Sequence, residues 1–303
     1  MMDIRLPALR EPPGPLPFPN LRRIVRNLHG LPASLARMGS LELRLVQTKK
    51  EIRKAQHLRW HVFVRQGGAK TDYKSHIRRR DICPFDKICD HLIVVDHAAF
   101  NARGKVKPRV VGTYRLLRQD MAEANHGFYS AGEFDIAGLL ARHPGKRFME
   151  LGRSCILPEY RAKRVLELLW RGLWIYSRHH AIDVMIGCAS LPGTDLRAHT
   201  DALAHIERSA LAEGEWAVPC RSGVNVSIRA IVSDGAAAPG VRAVIPPLVK
   251  GYLRLGARFG EGVFVDRQFG TSDILVVLPV ANIDRRYVEY FSAPLNEEHR
   301  LAA

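Results

Sequence analysis

Two short stretches concentrate the side chains that could move a proton or grip a charged ligand. In residues 80–91, RDICPFDKICDH, the acids Asp81, Asp86 and Asp90 and the imidazole of His91 fall within one loop between a basic stretch and an apolar strand. Loops on a rigid scaffold are where binding and catalytic groups gather. The competing reading is turn chemistry, with each Asp bonding nearby backbone N–H groups. In residues 149–158, MELGRSCILP, an extended chain would set Glu150, Gly152 and Ser154 on one face and Leu151, Arg153 and Cys155 on the other. A carboxylate and a guanidinium inside an otherwise apolar strand are costly unless partnered. They form either a structural Glu–Arg pair or a working site. Gly152 in the same strand marks a bulge or a close backbone approach.

The familiar catalytic signatures are missing. There is no GxSxG, no P-loop, no HExxH and no GxGxxG after a strand, which removes support for α/β-hydrolases, kinases, zinc peptidases and ordinary dinucleotide dehydrogenases. Cys83, Cys89, Asp86 and His91 lie close in sequence, but without CxxC or HxxxH spacing no metal is expected. Five cysteines in a long chain, with no signal-peptide core after the N-terminus, predict reduced thiols and a cytoplasmic protein. No apolar run approaches the roughly 18 residues of a spanning helix.

The 303 residues carry a net charge of +16, and between Lys49 and Arg80 eleven Lys/Arg stand against two acids. A basic face this concentrated steers an acidic partner toward it: a carrier protein, an anionic membrane or nucleic acid. It lacks the interleaved aromatics of a base-stacking platform, so nucleic acid is not expected.

The elements that must position these residues read as follows. Residues 1–40 hold seven of the eighteen prolines and form a basic leader. Within it Leu21, Ile24, Val25 and Leu28 lie at helical spacing among arginines, a short amphipathic helix suited to an anionic membrane surface or to docking on the body. One domain spans 41–285. The pattern predicts a strand from Leu41, a helix over 49–66 capped by Thr48, and a basic loop to Pro84. Strands follow over 92–96, 110–117 and 148–157, then a buried helix over 163–179, a strand over 182–189 and a helix over 197–212. A helix over 246–259 and a last strand over 272–280 precede a polar tail, 286–303. This order predicts an α/β fold with a mostly antiparallel central sheet flanked by helices.

Several strings are more specific than any periodicity: LRWHVF (58–63), RDICPFDKICDHLIVVD (80–96), VVGTYRLLRQ (110–119), GFYSAGEFDI (127–136), MELGRSCILPEYR (149–161) and IDVMIGCASLPGTD (182–195). Together they closely resemble the bacterial ornithine lipid synthases of the L-ornithine N-alpha-acyltransferase family. That family is a branch of the GNAT acyltransferases, related in outline to acyl-homoserine lactone synthases and often labelled hemolysin-like. The resemblance spans about 41–285 and implies a GNAT-like fold. It also implies transfer of a 3-hydroxyacyl chain from acyl carrier protein to the α-amine of L-ornithine, giving lyso-ornithine lipid.

What the resemblance implies for the site is specific. In the GNAT fold a central strand splays at a bulge and holds the pantetheine arm. Gly152 falls at that place, Glu150 becomes the expected base, and Arg153 and Ser154 the groups that orient it or the acyl hydroxyl. For the amino acid, Arg115 is the expected carboxylate clamp, with Asp81 and Asp86 as amine readers. GNATs that use coenzyme A follow this strand with Q/R-x-x-G-x-G/A, whose amides bind pyrophosphate. Here Arg161, Lys163, Arg164, Val165 and Leu166 occupy that place without glycine. The departure points to a carrier-protein donor whose single phosphopantetheine phosphate Arg161, Lys163 or Arg164 would bind, and to no bound cofactor. The rival readings are an acyltransferase for another amine, of the acyl-homoserine-lactone type or for another amino acid, and a non-enzymatic membrane-active protein. Peripheral contact with the inner membrane surface suits an amphiphilic product.

Overall fold

The computed structural model describes residues 28–161, 163–221, 223–234 and 245–293. The expected amphipathic helix over 21–28, but for its last residue, and the proline-rich stretch before it lie outside the described residues. In chain order the elements are β1 (Ser34–Met38), β2 (Leu41–Leu45), α1 (Lys49–Arg59), α2 (Tyr73–Arg78), β3 (Asp90–Asp96), β4 (Arg109–Arg118), α3 (Gln119–Glu123) and α4 (Ile136–Arg142). After them come β5 (Phe148–Ile156), α5 (Lys163–His179), β6 (Val184–Pro192), α6 (Thr200–Ala210), β7 (Val226–Ser227), α7 (Ile228–Asp234), α8 (Pro247–Arg254), β8 (Arg258–Asp266), β9 (Thr271–Pro279) and α9 (Arg285–Ser292).

The nine strands form one sheet in the order β1-β2-β3-β4-β5-β6-β9-β8-β7. Every pairing is antiparallel except β5 with β6, so the expected mostly antiparallel α/β architecture is what the chain adopts. Helix α5 covers one face. Its Val165, Leu168, Leu169 and Leu173 join Leu43, Leu92, Leu116, Met149 and Met185 in the larger core. A smaller core of Leu117, Phe128, Phe134, Phe148, Ile186 and Leu275 lies on the other face.

Local signals explain the boundaries that were legible. Thr48 caps α1 by accepting the Glu51 amide at 3.3 Å, while Glu51 Oε2 accepts the Thr48 amide at 3.1 Å, a reciprocal capping box. Helix α5 begins and ends where its apolar period predicts.

The differences have equally local causes. The helix expected over 49–66 changes at Trp60 into a π-helical segment, Trp60–Gln66, and such widened turns are commonly found beside functional sites. The basic loop before Pro84 contains α2, capped by Asp72, whose Oδ1 accepts the Ser75 amide at 2.8 Å. The sheet begins at Ser34, inside the stretch read as leader. Helix α8 stops at Arg254, short of the expected 259, and the chain reverses at Gly256, whose φ of +84° suits glycine, into the unforeseen β8. Residues 285–292 of the expected polar tail form α9, held against α5 by Arg171, which donates to the carbonyl of Tyr290 at 3.0 Å, and by Trp174, which donates to Ser292 Oγ at 2.9 Å.

The pairing of β5 with β6 is short. It covers Phe148–Val184, Met149–Met185 and Glu150–Ile186, and no pairing joins the two strands beyond that point among the described residues. Gly187 sits where they begin to part. A Cβ there would stand 2.3 Å from the Leu151 carbonyl oxygen. Gly187→Ala is expected to force the strands apart and lower unfolding free energy by about 1–3 kcal/mol, measured by urea denaturation.

Candidate active site

Beyond Glu150 the edge of β5 that faced β6 loses its strand partner, and a cavity of about 450 Å³ opens between the two strands. Its walls include Arg115, Glu150, Gly152, Arg153 and Ser154 on one side, and Cys188, Ser190, Asp266, Phe269 and Asp273 on the other. Five of the ten residues expected at the site therefore meet in one place.

A bulge rearranges the expected alternation. Thr113 pairs with Cys155 and Arg115 with Gly152, so two residues of β5, Arg153 and Ser154, oppose the single Tyr114 of β4. Arg153 takes a left-handed conformation, φ +51°, so the bulge lies one residue beyond Gly152. The extra residue moves Arg153 to the face of Arg115, where its guanidinium stacks 4.9 Å from the Tyr129 ring centre and 4.4 Å from that of Phe269. Ser154 turns to the opposite face and hydrogen-bonds Tyr114, which bonds the Tyr252 hydroxyl at 2.7 Å. Glu150, Gly152 and Ser154 thus do not share a face.

Glu150 is only 5% exposed, and both of its oxygens are held. Oε2 accepts the Tyr129 amide and Oε1 the Ser130 amide, each at 2.7 Å. The turn that supplies them, Tyr129–Gly132, belongs to the GFYSAGEFDI string. That string sets the carboxylate at the point where β5 and β6 diverge.

Asp81 and Asp86 hold arginines instead of facing the cavity. Arg59, in α1 and with no exposed surface, donates Nε to Asp81 Oδ2 at 2.8 Å and Nη2 to Asp86 Oδ2 at 2.7 Å. Gln56 donates to the same Asp86 oxygen at 2.8 Å. Asp81 also faces Arg153 Nε at 3.4 Å, and Asp86 faces Arg115 Nη1 at 3.6 Å. Burial would raise the Asp86 pKa, but Arg59, then His91 and Arg115, hold it well below the usual carboxylate range. Both aspartates are committed to fixing the arginines, which corrects their expected role as amine readers.

Arg161 and Arg164 are exposed at the approach to α5 and do not line the cavity; the Lys163 side chain lies outside the described residues. A separate cleft beside α1 is lined by Lys49, Arg53, His57, Arg78, Arg80 and Lys87 among others. Burial there, with Arg78 and Arg53 close by, lowers the Arg80 pKa, the mark of crowded cations.

The cavity's other wall carries Cys188 and Asp273, with Glu133 behind them, none of which the sequence singled out. Glu133 is 8% exposed and its Oε2 accepts the Cys188 thiol at 3.2 Å. Ligand atoms of Glu133, Cys188 and Asp273 all lie within 4.8 Å of one another. Burial, then the Asp273 carboxylate, push the Glu133 pKa up to about 8, and burial raises that of Asp273 as well.

A carboxyl that ionises near its ordinary value when unfolded but only at about 8 when folded stabilises the fold at low pH. That contribution is lost as pH rises from about 4.5 to about 8. Glu133→Gln should match the wild type in urea denaturation at the acid end of this window and exceed it at the alkaline end.

Residues 58–171 match the acetyltransferase (GNAT) domain family. The L-ornithine N(alpha)-acyltransferase of Agrobacterium fabrum is 49% identical over 255 residues, covering 84% of this chain and 86% of that protein. The protein of the same name from Rhizobium meliloti is 46% identical over 271 residues, covering 89% and 90%. The same name attaches to a Brucella abortus protein 43% identical over 266 residues, covering 86% and 92%. Identity at this level over more than four-fifths of the chain makes it a member of the L-ornithine N(alpha)-acyltransferase family.

Proposed function

We propose that the protein transfers a 3-hydroxyacyl chain from acyl carrier protein to the α-amine of L-ornithine, yielding lyso-ornithine lipid. The observation that carries this reading is the cavity at the β5–β6 divergence, which sets a buried carboxylate, two buried guanidinium groups and unpaired strand backbone around one space. Nα-acylation of an amino acid needs this combination: an anion grip for the α-carboxylate, a base for the ammonium, and donors for the oxyanion.

In this mechanism the ornithine α-carboxylate pairs with Arg115, which lines the cavity and turns Nη2 and Nε over Gly152. Glu150, directly or through one water, takes a proton from the α-ammonium, because only the neutral amine attacks a thioester. The C–N bond forms as the carbonyl becomes an oxyanion, which backbone N–H groups of the unpaired β5 edge stabilise. Collapse breaks the C–S bond. Ser154, backed by Tyr114 and Tyr252, gives its proton to the departing thiolate, and the second proton of the amine restores the balance through solvent. Arg153 fixes the Tyr129 ring above the site.

The carrier protein and the phosphate of its prosthetic group bind outside this cavity, into which the thioester reaches. Arg161, Lys163 and Arg164 receive the phosphopantetheine phosphate, and the basic cleft beside α1 receives the acidic surface of the carrier protein. No bound cofactor is needed. None of the described helices is long and apolar enough to cross a membrane. Tyr73, 81% exposed, and Ile77 project from α2 among Lys74, Arg78 and Arg79, which supports peripheral contact with an anionic, cytoplasm-facing membrane surface as the product leaves.

Purified protein incubated with 3-hydroxyacyl carrier protein and single amino acids, read by mass spectrometry, should give the mass of ornithine plus the hydroxyacyl group. Product with a different amine alone would replace the acceptor, and no acylated amine would refute the reading. Glu150→Gln should lower kcat about 100-fold or more with an unchanged circular dichroism spectrum; near-normal turnover would remove Glu150 as base. Replacing Arg53, Arg78 and Arg80 by Glu should raise KM for acyl carrier protein at least about tenfold at low salt, with less effect at high salt.

A further inference from the structure

Resting on that reading, we propose that Asp273, with Glu133 behind it, binds the side-chain ammonium of the acceptor, so that this carboxylate pair selects a diamino acid. Asp273 projects from β9 into the cavity at 6% exposure, and its Oδ1 is buried without a hydrogen-bond partner. Ser190 and Thr271 hydroxyls lie near enough to restrain the rise in its pKa, Asp266 adds a negative charge, and Arg153 acts on it from a distance without forming an ion pair. The Asp266 Oδ1 is already occupied by the amides of Gln268 and Phe269, at 2.8 and 2.9 Å. Among the described residues no Lys, Arg or His forms an ion pair with Asp273 or Glu133. A buried carboxylate that lines the cavity with no ion-pair partner, and a second carboxyl behind it, make a site for a ligand cation.

The opposite wall carries the complementary charge. The Arg115 guanidinium lies over Gly152, Nη2 3.5 Å and Nε 3.6 Å from where a Cβ would be, while its Nη1 faces Asp86 at 3.6 Å. β9 lies two strands from β5 in the sheet, at least about 10 Å at ordinary strand spacing, and the Arg115 and Asp273 side chains reach into that gap from its two sides. An extended diamino acid, with one hydrogen bond at each end, spans that distance. Its α-carboxylate meets Arg115, its side-chain ammonium meets Asp273, and its α-amine falls between them beside Glu150. An amino acid with an uncharged side chain leaves the Asp273 end unanswered.

The test compares kcat/KM for ornithine and for norvaline, which keeps the carbon chain but lacks the terminal amine, at saturating 3-hydroxyacyl carrier protein. In Asp273→Asn the ornithine-to-norvaline ratio should fall about 10- to 100-fold, through KM for ornithine more than through kcat. Glu133→Gln should lower it less. Norvaline turnover and near-ultraviolet circular dichroism report the fold, and Glu133→Gln carries the test if Asp273→Asn does not fold. Wild-type preference kept in both variants would overturn this proposal while leaving ornithine acylation intact. Failure of the wild type to acylate any diamino acid would overturn the functional reading and this proposal together. Zinc retained in stoichiometric amount, with ornithine turnover lost on chelation, would overturn it in favour of a metal at the same residues.

Discussion

The parting of β5 from β6 is the constraint on which the rest of the molecule depends. Two parallel strands that stayed paired would bury their backbone groups against each other and leave no room for a ligand. Here pairing ends at Glu150 and Ile186, and a bulge at Arg153 and Ser154 bends β5 away. The bulge also decides which side chains face the opening. By inserting one residue it sends Arg153 toward Tyr129 and Ser154 toward Tyr114, so each half of the proposed chemistry receives its own group.

A buried ionic chain ties that opening to the basic surface. Arg59 joins α1 to Asp81 and Asp86, and those acids reach Arg153 and Arg115 on the cavity wall. Burying so many charges is poor value for stability alone, because desolvation consumes most of the attraction. What the chain supplies is position. The guanidinium groups are fixed before any ligand arrives, and the loop carrying Asp81 and Asp86 cannot move without stranding a fully buried arginine. The crowded cations of the neighbouring cleft begin on the same helix, α1.

Much of this was legible in the residues. Strands rich in Val, Ile and Leu, the capping box at Thr48 and the apolar period of α5 announced their elements, and the polar residues inside MELGRSCILP announced a site. What hid the rest was physical. Gly152 signals a bulge, but a strict two-residue alternation carries no account of the residue it inserts, one position further on, and so sets Ser154 on the wrong face. β8 escaped because Gly260 and Gly262 interrupt its pattern, and its register with β9 breaks between Phe259 and Val263. Asp81 and Asp86 looked like ligand-binding acids because nothing in sequence ties them to Arg59. Glu133 and Asp273 looked unremarkable because they meet only through tertiary packing, although the GFYSAGEFDI string already held Glu133 and the turn that secures Glu150.

Cys188 lines the cavity beside those two carboxylates, and burial together with Glu133 and Asp273 raises its pKa well above the ordinary thiol value. A thiolate there would exchange with an incoming thioester and capture the chain as an acyl-enzyme, since the thiolate is the nucleophilic form. Kept protonated, the sulfur is a spectator. Burial and the neighbouring carboxyl groups thereby weigh against a double-displacement route through Cys188 and favour direct attack by the amine in a ternary complex of donor and acceptor.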